Sequence, residues 1–437
     1  MKRRYLQNSE TKLSADTKYI NKKHWLPLDN SAIIHLASRC KGYTNTFRLA
    51  VTLNEKICPK TLQLAVNHIT PRFPAIVAGI RSHLFQYVIV PSKVPPKVQQ
   101  EQELLAFMPK SILKECSVRV LYSENKITVE IFHALTDGYG GIVFLNTLIA
   151  EYLSLKHSVS CNYSDRILNP DELPCESELN DDFISHAGAA TCSFTHRKIY
   201  QIPVRFKLNM PVQCISRTYQ MQELINTAHH YGTTLTIFLT AVMYAAVLKL
   251  QRDKSSSNKP VQIMVPVNLR NRFASKTLRN FSLYALPYVE ASAANISFEY
   301  LIQQIAAQIN EQTDSKHLST MISANVRIQS SVFYRILPLL IKNFLLRLTF
   351  RLYGERNSCL SFSNLGEITY PKEIKSHISD VEFLLTPRRT SAYNCSVVTY
   401  SGKTCISFTK KGDNHDLEEY FFYILENIVE THRKELS

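Results

Sequence analysis

The sequence Phe-His-Ala-Leu-Thr-Asp-Gly occupies residues 132–138 and ends a run of alternating apolar residues. Ile127, Val129, Ile131 and His133 share one face of the predicted strand, because side chains alternate along a strand. The three apolar residues would anchor this face in a core, and the histidine would be presented where the strand ends. The sequence therefore predicts an imidazole beside a tight turn that contains an acidic residue and a glycine.

Three glycines follow this histidine closely, at positions 138, 140 and 141. The whole chain has only 11 glycines in 437 residues, well below the roughly 7% of average proteins. Such local enrichment indicates unusual backbone angles or the close approach of another segment, since glycine has no Cβ. Residues 142–153 carry apolar side chains at helical spacing, so we expect a helix whose positive N-terminal end points toward the histidine.

The length of the chain predicts two lobes, because single hydrophobic cores seldom extend beyond about 250–300 residues. Strand-like and helix-like patterns are mixed in both halves, which predicts the α/β (α+β) class. A stretch rich in Asn, Asp and Pro interrupts these patterns and is the predicted linker. The predicted parts are a polar N-terminal segment (1–24), an N-terminal lobe (25–160), an inter-lobe linker (161–195) and a C-terminal lobe (196–437).

The charge of the chain is strongly positive, with 51 basic and 36 acidic residues and a net charge of +15. Such a field would attract nucleic acid, an anionic membrane surface or a phosphorylated small ligand. The sequence contains no run of five or six like charges, so we expect no nucleic-acid partner. A general contribution to solubility explains the same excess of charge equally well.

The ten cysteines are scattered without a Cys-x-x-Cys pair. Neither a disulfide framework nor a zinc site is predicted from this spacing, and we expect no bound metal. The sequence begins Met-Lys-Arg-Arg and shows no apolar core of a signal peptide. A cytoplasmic protein with free thiols is therefore the expectation.

Residues 332–353 are strongly apolar but are interrupted by Arg335, Pro338, Lys342, Arg347 and Arg351. A membrane-spanning helix needs about 20 apolar residues with few charges, so a span is not predicted here. The basic residues are compatible with one side of an amphipathic helix. Core packing is the first expectation for such a helix. The alternatives are that it lines a lipophilic site or contacts an anionic membrane.

The pattern His-x-x-x-Asp-Gly at 133–138 resembles the signature of acyltransferases with the chloramphenicol-acetyltransferase-like fold. These include alcohol acetyltransferases, wax-ester synthases and the condensation domains of peptide synthetases. A core histidine followed by an ordinary turn is the alternative interpretation, because short motifs recur by chance. Three further stretches carry the resemblance: Val-Pro-Val-Asn-Leu-Arg to Thr-Leu-Arg-Asn-Phe (265–281), Ser-Phe-Ser-Asn-Leu-Gly (361–366), and Tyr-Gly-Thr-Thr-Leu-Thr (231–236). The second of these is similar to a strand-end motif of the family.

This resemblance covers the chain from about Pro27 onward and implies two lobes, each a mixed sheet flanked by helices, with an active-site channel between them. Two departures from the motifs of other members indicate which branch of the family the chain resembles most. Phe132 stands where peptide-forming condensation domains usually carry the first of two histidines. The Asp-Phe-Gly-Trp-Gly signature of the plant members is absent, and the only tryptophan is Trp25. Both departures favour the alcohol-acetyltransferase-like branch.

The resemblance implies an acyl-CoA-dependent O-acyltransferase that acts on a small, fairly apolar alcohol, with acyl-CoA as co-substrate and no bound cofactor. His133 would be the general base, since neutral imidazole accepts a proton near neutral pH. The chain has no Gly-x-Ser-x-Gly nucleophile motif, which favours direct attack in a ternary complex over an acyl-enzyme. Asp137 would be structural and paired with an arginine of the other lobe, for which Arg270 is the candidate. Gly138 would permit the turn and direct its N–H group toward the reacting centre.

Alternatives stay open for several of these assignments. Arg270 would otherwise be a solvated loop charge, and Asn364 would either line the acceptor channel or cap a turn. The enzyme would otherwise take its acyl group from a carrier protein, as condensation domains do, or the chain would be a non-catalytic binding protein on the same fold. We expect a monomer, with peripheral membrane contact as the minority alternative.

Overall fold

The computed structural model of the protein describes residues 25–29, 31–39, 43–188, 197–204, 210–292, 296–350, 356–388, 392–412 and 414–436. The predicted N-terminal segment (1–24) lies outside these residues, as do residues 189–195 of the predicted linker and Arg351.

The described strands are β1 (Leu26–Pro27), β2 (Thr46–Leu53), β3 (Ala78–Ser82), β4 (Tyr87–Pro91), β5 (Gln99–Gln100), β6 (Val118–Ser123), β7 (Lys126–Phe132), β8 (Gln213–Gln220), β9 (Val261–Gln262), β10 (Val265–Asn268), β11 (Ser282–Ala285), β12 (Tyr288–Val289), β13 (Ser361–Ile368), β14 (Ile378–Leu385), β15 (Tyr393–Tyr400) and β16 (Lys403–Lys410). The described α-helices are α1 (Ala32–Ala37), α2 (Pro59–Ile69), α3 (Lys110–Glu115), α4 (Gly138–His157), α5 (Glu176–Leu179), α6 (Asp182–Ser185), α7 (Met221–His230), α8 (Leu235–Lys254), α9 (Phe298–Gln312), α10 (Ser315–Ser330), α11 (Val332–Ile336), α12 (Leu339–Thr349), α13 (Lys372–Lys375) and α14 (Asp416–Leu436).

The first lobe is built on a five-stranded sheet in the order β14-β2-β7-β6-β5, antiparallel except for β5 beside β6. The burial predicted for Ile127, Val129 and Ile131 is confirmed, and the residues of the opposite face of β7, Thr128, Glu130 and Phe132, are buried as well. The three predicted residues lie opposite Val51, Leu49 and Phe47 of β2, and helices α2 and α4 contribute to the same core. This packing fixes the register of β7 and therefore the position of the histidine that follows it, because a one-residue slip would turn every side chain to the other face.

The second lobe has a four-stranded sheet in the order β13-β15-β16-β8, in which β13 runs parallel to β15. Its core includes side chains from α7, α8, α9 and α14. Helix α8 is long and apolar enough to cross a membrane by length and composition, but 72% of its most apolar window is buried inside the protein. That burial is expected of the central helix of a lobe, which is hydrophobic all round.

One strand from the C-terminal part of the chain joins the sheet of the first lobe, so the predicted boundary at residue 196 does not separate the two sheets. Strand β14 follows β13 in the chain but pairs with β2 of the first lobe. The sheets also meet through side chains of β15: Ser396 Oγ donates to the carbonyl of Phe383 at 2.7 Å, and Asn394 Nδ2 donates to that of Thr386 at 2.8 Å. The lobes are therefore joined through β14 as well as through the linker.

The described part of the predicted linker is packed rather than extended. Glu178 in α5 receives two hydrogen bonds from Arg72 of the first lobe, at 2.5 and 2.7 Å. Its carbonyl oxygen accepts from the Leu278 N–H at 2.9 Å, and the Leu179 carbonyl accepts from Arg279 Nη1 at 3.0 Å. The linker thus fastens residues 277–281 to the first lobe, which brings that segment to the histidine.

The amphipathic helix predicted over 332–353 is two helices, α11 and α12, separated around Pro338. Proline interrupts a helix because it has no N–H to donate and its ring crowds the preceding turn. Core packing is the wrong expectation for α12: Leu340 is 84% exposed, whereas Lys342 is buried.

Candidate active site

His133 lies directly after β7, where its backbone N–H donates to the carbonyl of Asn45 at 2.8 Å. Its ring stacks on the ring of His35 from α1, with 4.3 Å between centroids and 13° between planes. Phe47 meets it edge-on at 5.1 Å. The side chain is half-buried, so it is held on two sides while remaining partly accessible to solvent.

A hydrogen-bonded path leads from His133 to the buried carboxylate of Asp29. Asn280 Oδ1 lies 3.2 Å from His133 Nδ1, and Asn280 Nδ2 lies 3.4 Å from Asp29 Oδ2. The Asn280 NH₂ group thus faces Asp29, whose carboxyl group can accept in either protonation state, and the amide oxygen faces the imidazole. An amide oxygen only accepts hydrogen bonds. His133 Nδ1 then carries the ring proton, and Nε2 keeps a free lone pair.

Asp29 is itself fully buried. Its Oδ1 accepts from the Ala32 N–H at 2.7 Å and from Ser31 Oγ at 3.2 Å, and its Oδ2 lies 3.7 Å from Arg279 Nε. Burial raises the pKa of the Asp29 carboxyl to about 7, and the Arg279 guanidinium opposes that rise. The carboxylate is thereby fixed beside Asn280 by contacts with both halves of the chain.

Both stacked imidazoles are held in the neutral form at neutral pH. Burial lowers the pKa of His133 from its ordinary value, against opposing contributions that include Asp137 and Asn280. Burial also lowers the pKa of His35 well below its ordinary value, and His133 and Arg388 act in the same direction. A buried histidine without a directly paired carboxylate avoids a charge that would be poorly solvated. The ring of His133 is therefore available as a base.

Asp137 caps helix α4 and receives three hydrogen bonds. Its Oδ1 accepts from the Gly140 N–H at 3.3 Å, and its Oδ2 accepts from Arg270 Nη1 at 2.7 Å and from the Phe281 N–H at 2.8 Å. Only 5% of the Asp137 side chain and 6% of the Arg270 side chain are exposed. The ion pair implied by the resemblance is present, so the interpretation of Arg270 as a solvated loop charge is wrong.

Arg270 also organises the segment that follows it. Its guanidinium donates to the carbonyl oxygens of Thr277 and Arg279, with the bond to Arg279 at 2.6 Å. The same group lies over the Tyr139 ring, 4.6 Å from the centroid. One side chain therefore holds residues 277–281 against the first turn of α4, beside His133.

The glycines after His133 are needed for close approach and not for unusual backbone angles, since none of the three has a positive φ. Gly138 is the first residue of α4, so the expectation that it permits the turn through its backbone freedom is not supported. A Cβ on Gly140 would overlap the carbonyl oxygen of Leu278, and one on Gly141 would lie 2.6 Å from Phe47 Cε2. The absence of side chains lets segment 277–281 and strand β2 contact α4.

Asn364 lies within β13 at an irregularity of its pairing with β15, and not at the strand's end as expected. Its Oδ1 accepts from the Gly366 N–H at 2.8 Å, and its Nδ2 donates to Thr236 Oγ1 at 3.0 Å. Gly366 has a φ of +75°, which glycine adopts without strain. The amide thus caps this irregularity, while Leu365 beside it reaches the motif: a Cβ on Gly138 would lie 2.7 Å from Leu365 Cδ2.

Three residues of this site were not singled out from the sequence: Asp29, His35 and Asn280. Asn280 lies within the Thr-Leu-Arg-Asn-Phe stretch that carries the resemblance, but the sequence alone assigns no role to this residue. Asp29 follows the apolar Trp-Leu-Pro-Leu run at 25–28. His35 gives no signal in the sequence, because its stacking on His133 joins positions 98 residues apart (133 − 35).

Two groups of His and Glu side chains elsewhere bring three potential metal-ligand atoms within 4.8 Å of one another: Glu55, His157 and His377, and His230, His432 and Glu435. Neither group includes a residue of the site around His133.

Several solved acyltransferase and condensation-domain structures share this fold. TRI3 trichothecene 15-O-acetyltransferase from Fusarium sporotrichioides superposes with a TM-score of 0.60 at 12% identity, covering 92% of this chain and 94% of that chain. TRI101 of F. sporotrichioides, solved with coenzyme A and T-2, gives 0.60 at 10% identity over 91% and 97%. The starter condensation domain of rhizomide synthetase RzmA, solved with C8-CoA and Leu-SNAC, gives 0.59 at 12% over 95% of each chain. These likenesses show the two-lobed, chloramphenicol-acetyltransferase-like fold.

The sequence also identifies the family to which the chain belongs. No curated protein sequence matches the chain. The family model for alcohol acetyltransferases matches residues 193–428, which is more than half of the chain. The chain therefore belongs to the alcohol acetyltransferase family, and the protein is an acyltransferase.

Proposed function

We propose that the protein transfers an acyl group from acyl-CoA to the hydroxyl group of a small, fairly apolar alcohol, with His133 as the general base. The observation that carries this proposal is the contact of the Asn280 amide oxygen with His133 Nδ1 at 3.2 Å. An amide oxygen only accepts, so Nδ1 carries the proton and Nε2 is the basic atom. General-base catalysis needs this arrangement, because the base must be unprotonated and must not rotate away from its substrate.

The proposed reaction proceeds through a ternary complex. The alcohol places its O–H at Nε2 of His133, which removes the proton as the oxygen attacks the thioester carbonyl carbon. The resulting tetrahedral oxyanion would be stabilised by the N–H group of Gly138 at the start of α4, which has no intrahelical acceptor. Collapse of this intermediate breaks the C–S bond, and the CoA thiolate takes the proton back from the imidazolium. The ester and CoA are the products.

Two features support acyl-CoA as the donor. The net charge of +15 provides a positive field for a ligand that carries several phosphates. Proteins of the same fold, TRI101 and the RzmA domain, were solved with coenzyme A and with C8-CoA. The family to which the chain belongs is named for acetyl transfer to alcohols, which supports a hydroxyl acceptor.

Competition between an aliphatic alcohol and its matching amine tests the acceptor. At neutral pH and constant acyl-CoA, we expect ester to be the main product. An alcohol is neutral, whereas an ammonium must lose its hydration and a proton before it can attack in a partly buried site. Mass spectrometry of the products is the measurement. Amide as the main product, or turnover only with a carrier-bound acyl group, would assign the protein to condensation chemistry.

Asn280→Ala tests the path behind the histidine. We expect kcat to fall about tenfold with KM nearly unchanged, which corresponds to the loss of one hydrogen bond of about 1.4 kcal/mol that orients the base. Asn54→Ala is the matched control, because that amide donates to the carbonyl of Ser376 at 2.9 Å on the surface. An Asn280→Ala protein with wild-type kcat would show that the amide does not position His133.

A further inference from the structure

Helix α12 presents an apolar face to solvent. Leu340 is 84% exposed and Phe344 is 66% exposed. Ile341, Leu345 and Leu348 are exposed with them, and the five positions recur on one side of a helix. No polar residue stands between them on that side. Soluble proteins normally turn such a stripe inward, so this helix is inverted with respect to the usual arrangement.

Polar contacts hold α12 in this orientation. The side chain of Lys342 is buried, and its Nζ donates to the carbonyl of Phe85 at 2.6 Å and lies 4.5 Å from the Tyr334 ring centroid. Asn343 Nδ2 donates to the Tyr87 hydroxyl at 2.9 Å. The protein therefore uses the polar side of the helix for its own packing and leaves the apolar side exposed.

The exposed surface continues beyond α12. The Leu339 N–H donates to the carbonyl of Leu84 at 2.9 Å, which places the turn between β3 and β4 beside the helix. Leu84 is 70% exposed, and Phe85 is exposed beside it. Val332 and Ile336 of α11 are exposed as well. We call these nine residues together the apolar face: Leu84, Phe85, Val332, Ile336, Leu340, Ile341, Phe344, Leu345 and Leu348.

The two chain segments that form the apolar face carry charge of only one sign. Residues 315–354 and residues 56–100, the two segments that form it, contain no Asp or Glu. Arg81, Arg335 and Arg347 lie in these segments and are exposed. Leucine, isoleucine and phenylalanine flanked by arginine are the composition of surfaces that lie in the interface of an anionic bilayer. Basic residues near such a bilayer are attracted to its headgroups.

A second copy of the chain fits this surface less well. In a two-fold symmetric interface each patch meets itself. Both copies would then bring Arg81, Arg335 and Arg347 into the same interface, and the two segments that form the apolar face offer no acidic side chain to pair with them. An anionic lipid surface instead offers opposite charge to the arginines and hydrocarbon to the apolar side chains.

The apolar face is also close to the active site. Helix α12 packs against α1, and His35 of α1 stacks on His133. We propose that the apolar face inserts into the headgroup layer of an anionic membrane and thereby brings the active site to an acceptor dissolved in the lipid. The second half of this proposal rests on the proposed function, whereas membrane binding does not.

Vesicle co-sedimentation of the full-length protein tests the binding. We expect the protein to bind vesicles of phosphatidylcholine with phosphatidylglycerol, and to bind phosphatidylcholine alone much more weakly. The double variant Leu340→Asp/Phe344→Asp should lower the partition coefficient at least tenfold. The control Leu173→Asp/Tyr423→Asp changes two side chains outside the face that are each 63% exposed, and it should bind as wild type does. Thermal unfolding and turnover of a water-soluble alcohol should be unchanged in both variants.

A second variant separates charge from apolar contact. Arg335→Glu/Arg347→Glu should abolish the preference for anionic vesicles, and it remains informative if the aspartate variant fails to fold. The proposal is overturned if the wild-type protein binds neither kind of vesicle, or if the Leu340/Phe344 variant binds as well as wild type. It is also overturned if light scattering shows a dimer that this variant disrupts. Vesicle binding without any acyl transfer would contradict the proposed function but would support the proposal that the apolar face binds membranes.

Discussion

Replacement of His133 with alanine is expected to lower acyl transfer by about 10²–10⁴-fold, the contribution usual for a general base. The fold should persist, because the residue follows β7 and is only half-buried. His229→Ala is the matched control, since this histidine is exposed on α7. The measurement is kcat/KM for an acyl-CoA and an alcohol, with circular dichroism of each protein.

The pH dependence of the same reaction follows from the pKa of His133. Burial lowers this pKa, so the neutral base persists below the ordinary imidazole value of about 6.5. We expect kcat/KM to be level from pH 8 to about 6.5 and to fall only at lower pH, as His133 becomes protonated. Full turnover in His133→Ala, or an activity that falls already between pH 8 and 7, would contradict the assignment of this histidine as base.

Removal of the Asp137 carboxylate is expected to have the second large effect. In Asp137→Ala the buried Arg270 guanidinium loses its counter-charge, and the Phe281 and Gly140 N–H groups lose their acceptor. Breaking a buried ion pair in this way costs about 3–5 kcal/mol. We therefore expect a clear fall in the unfolding temperature together with loss of turnover, because segment 277–281 positions Asn280 behind His133.

An exposed ion pair provides the control for this variant. Arg217 and Glu426 lie 2.7 Å apart, and the side chain of each is 48% exposed. Glu426→Ala should change the unfolding temperature little, since exposed pairs contribute about 0–1 kcal/mol. Equal thermal stability of Asp137→Ala and wild type would show that the Asp137–Arg270 pair does not hold the loop.

The local elements were predictable because their patterns repeat within a few residues. The alternation at 127, 129 and 131 predicted one of the two buried faces of β7. The spacing of Leu62, Ala65, Val66 and Ile69 matches the buried face of α2. The Asp137–Arg270 ion pair could also be predicted, because the family resemblance links two motifs that are distant in the sequence. These features depend on short-range periodicity or on motifs of defined order.

The remaining features depend on tertiary contacts that no local pattern carries. Strand β14 belongs by sequence to the second lobe but pairs with β2. This pairing could not be predicted, because it joins residues more than 300 positions apart. The path from His133 through Asn280 to Asp29 needs three segments that come together only in the folded chain. The outward face of α12 could not be predicted either, because an apolar stripe reads the same whether it faces a core or solvent.

Release of free thiol from acyl-CoA is the measurement that tests the central claim most directly. The purified protein is mixed with a panel of acyl-CoAs, with and without an aliphatic alcohol, and free CoA is followed while ester is quantified by mass spectrometry. We predict thiol release that requires the alcohol, equals the ester formed, and is lost in His133→Ala but not in His229→Ala. The account is contradicted by release that is independent of both the alcohol and His133, or by turnover that occurs with a carrier-bound acyl group and with no acyl-CoA.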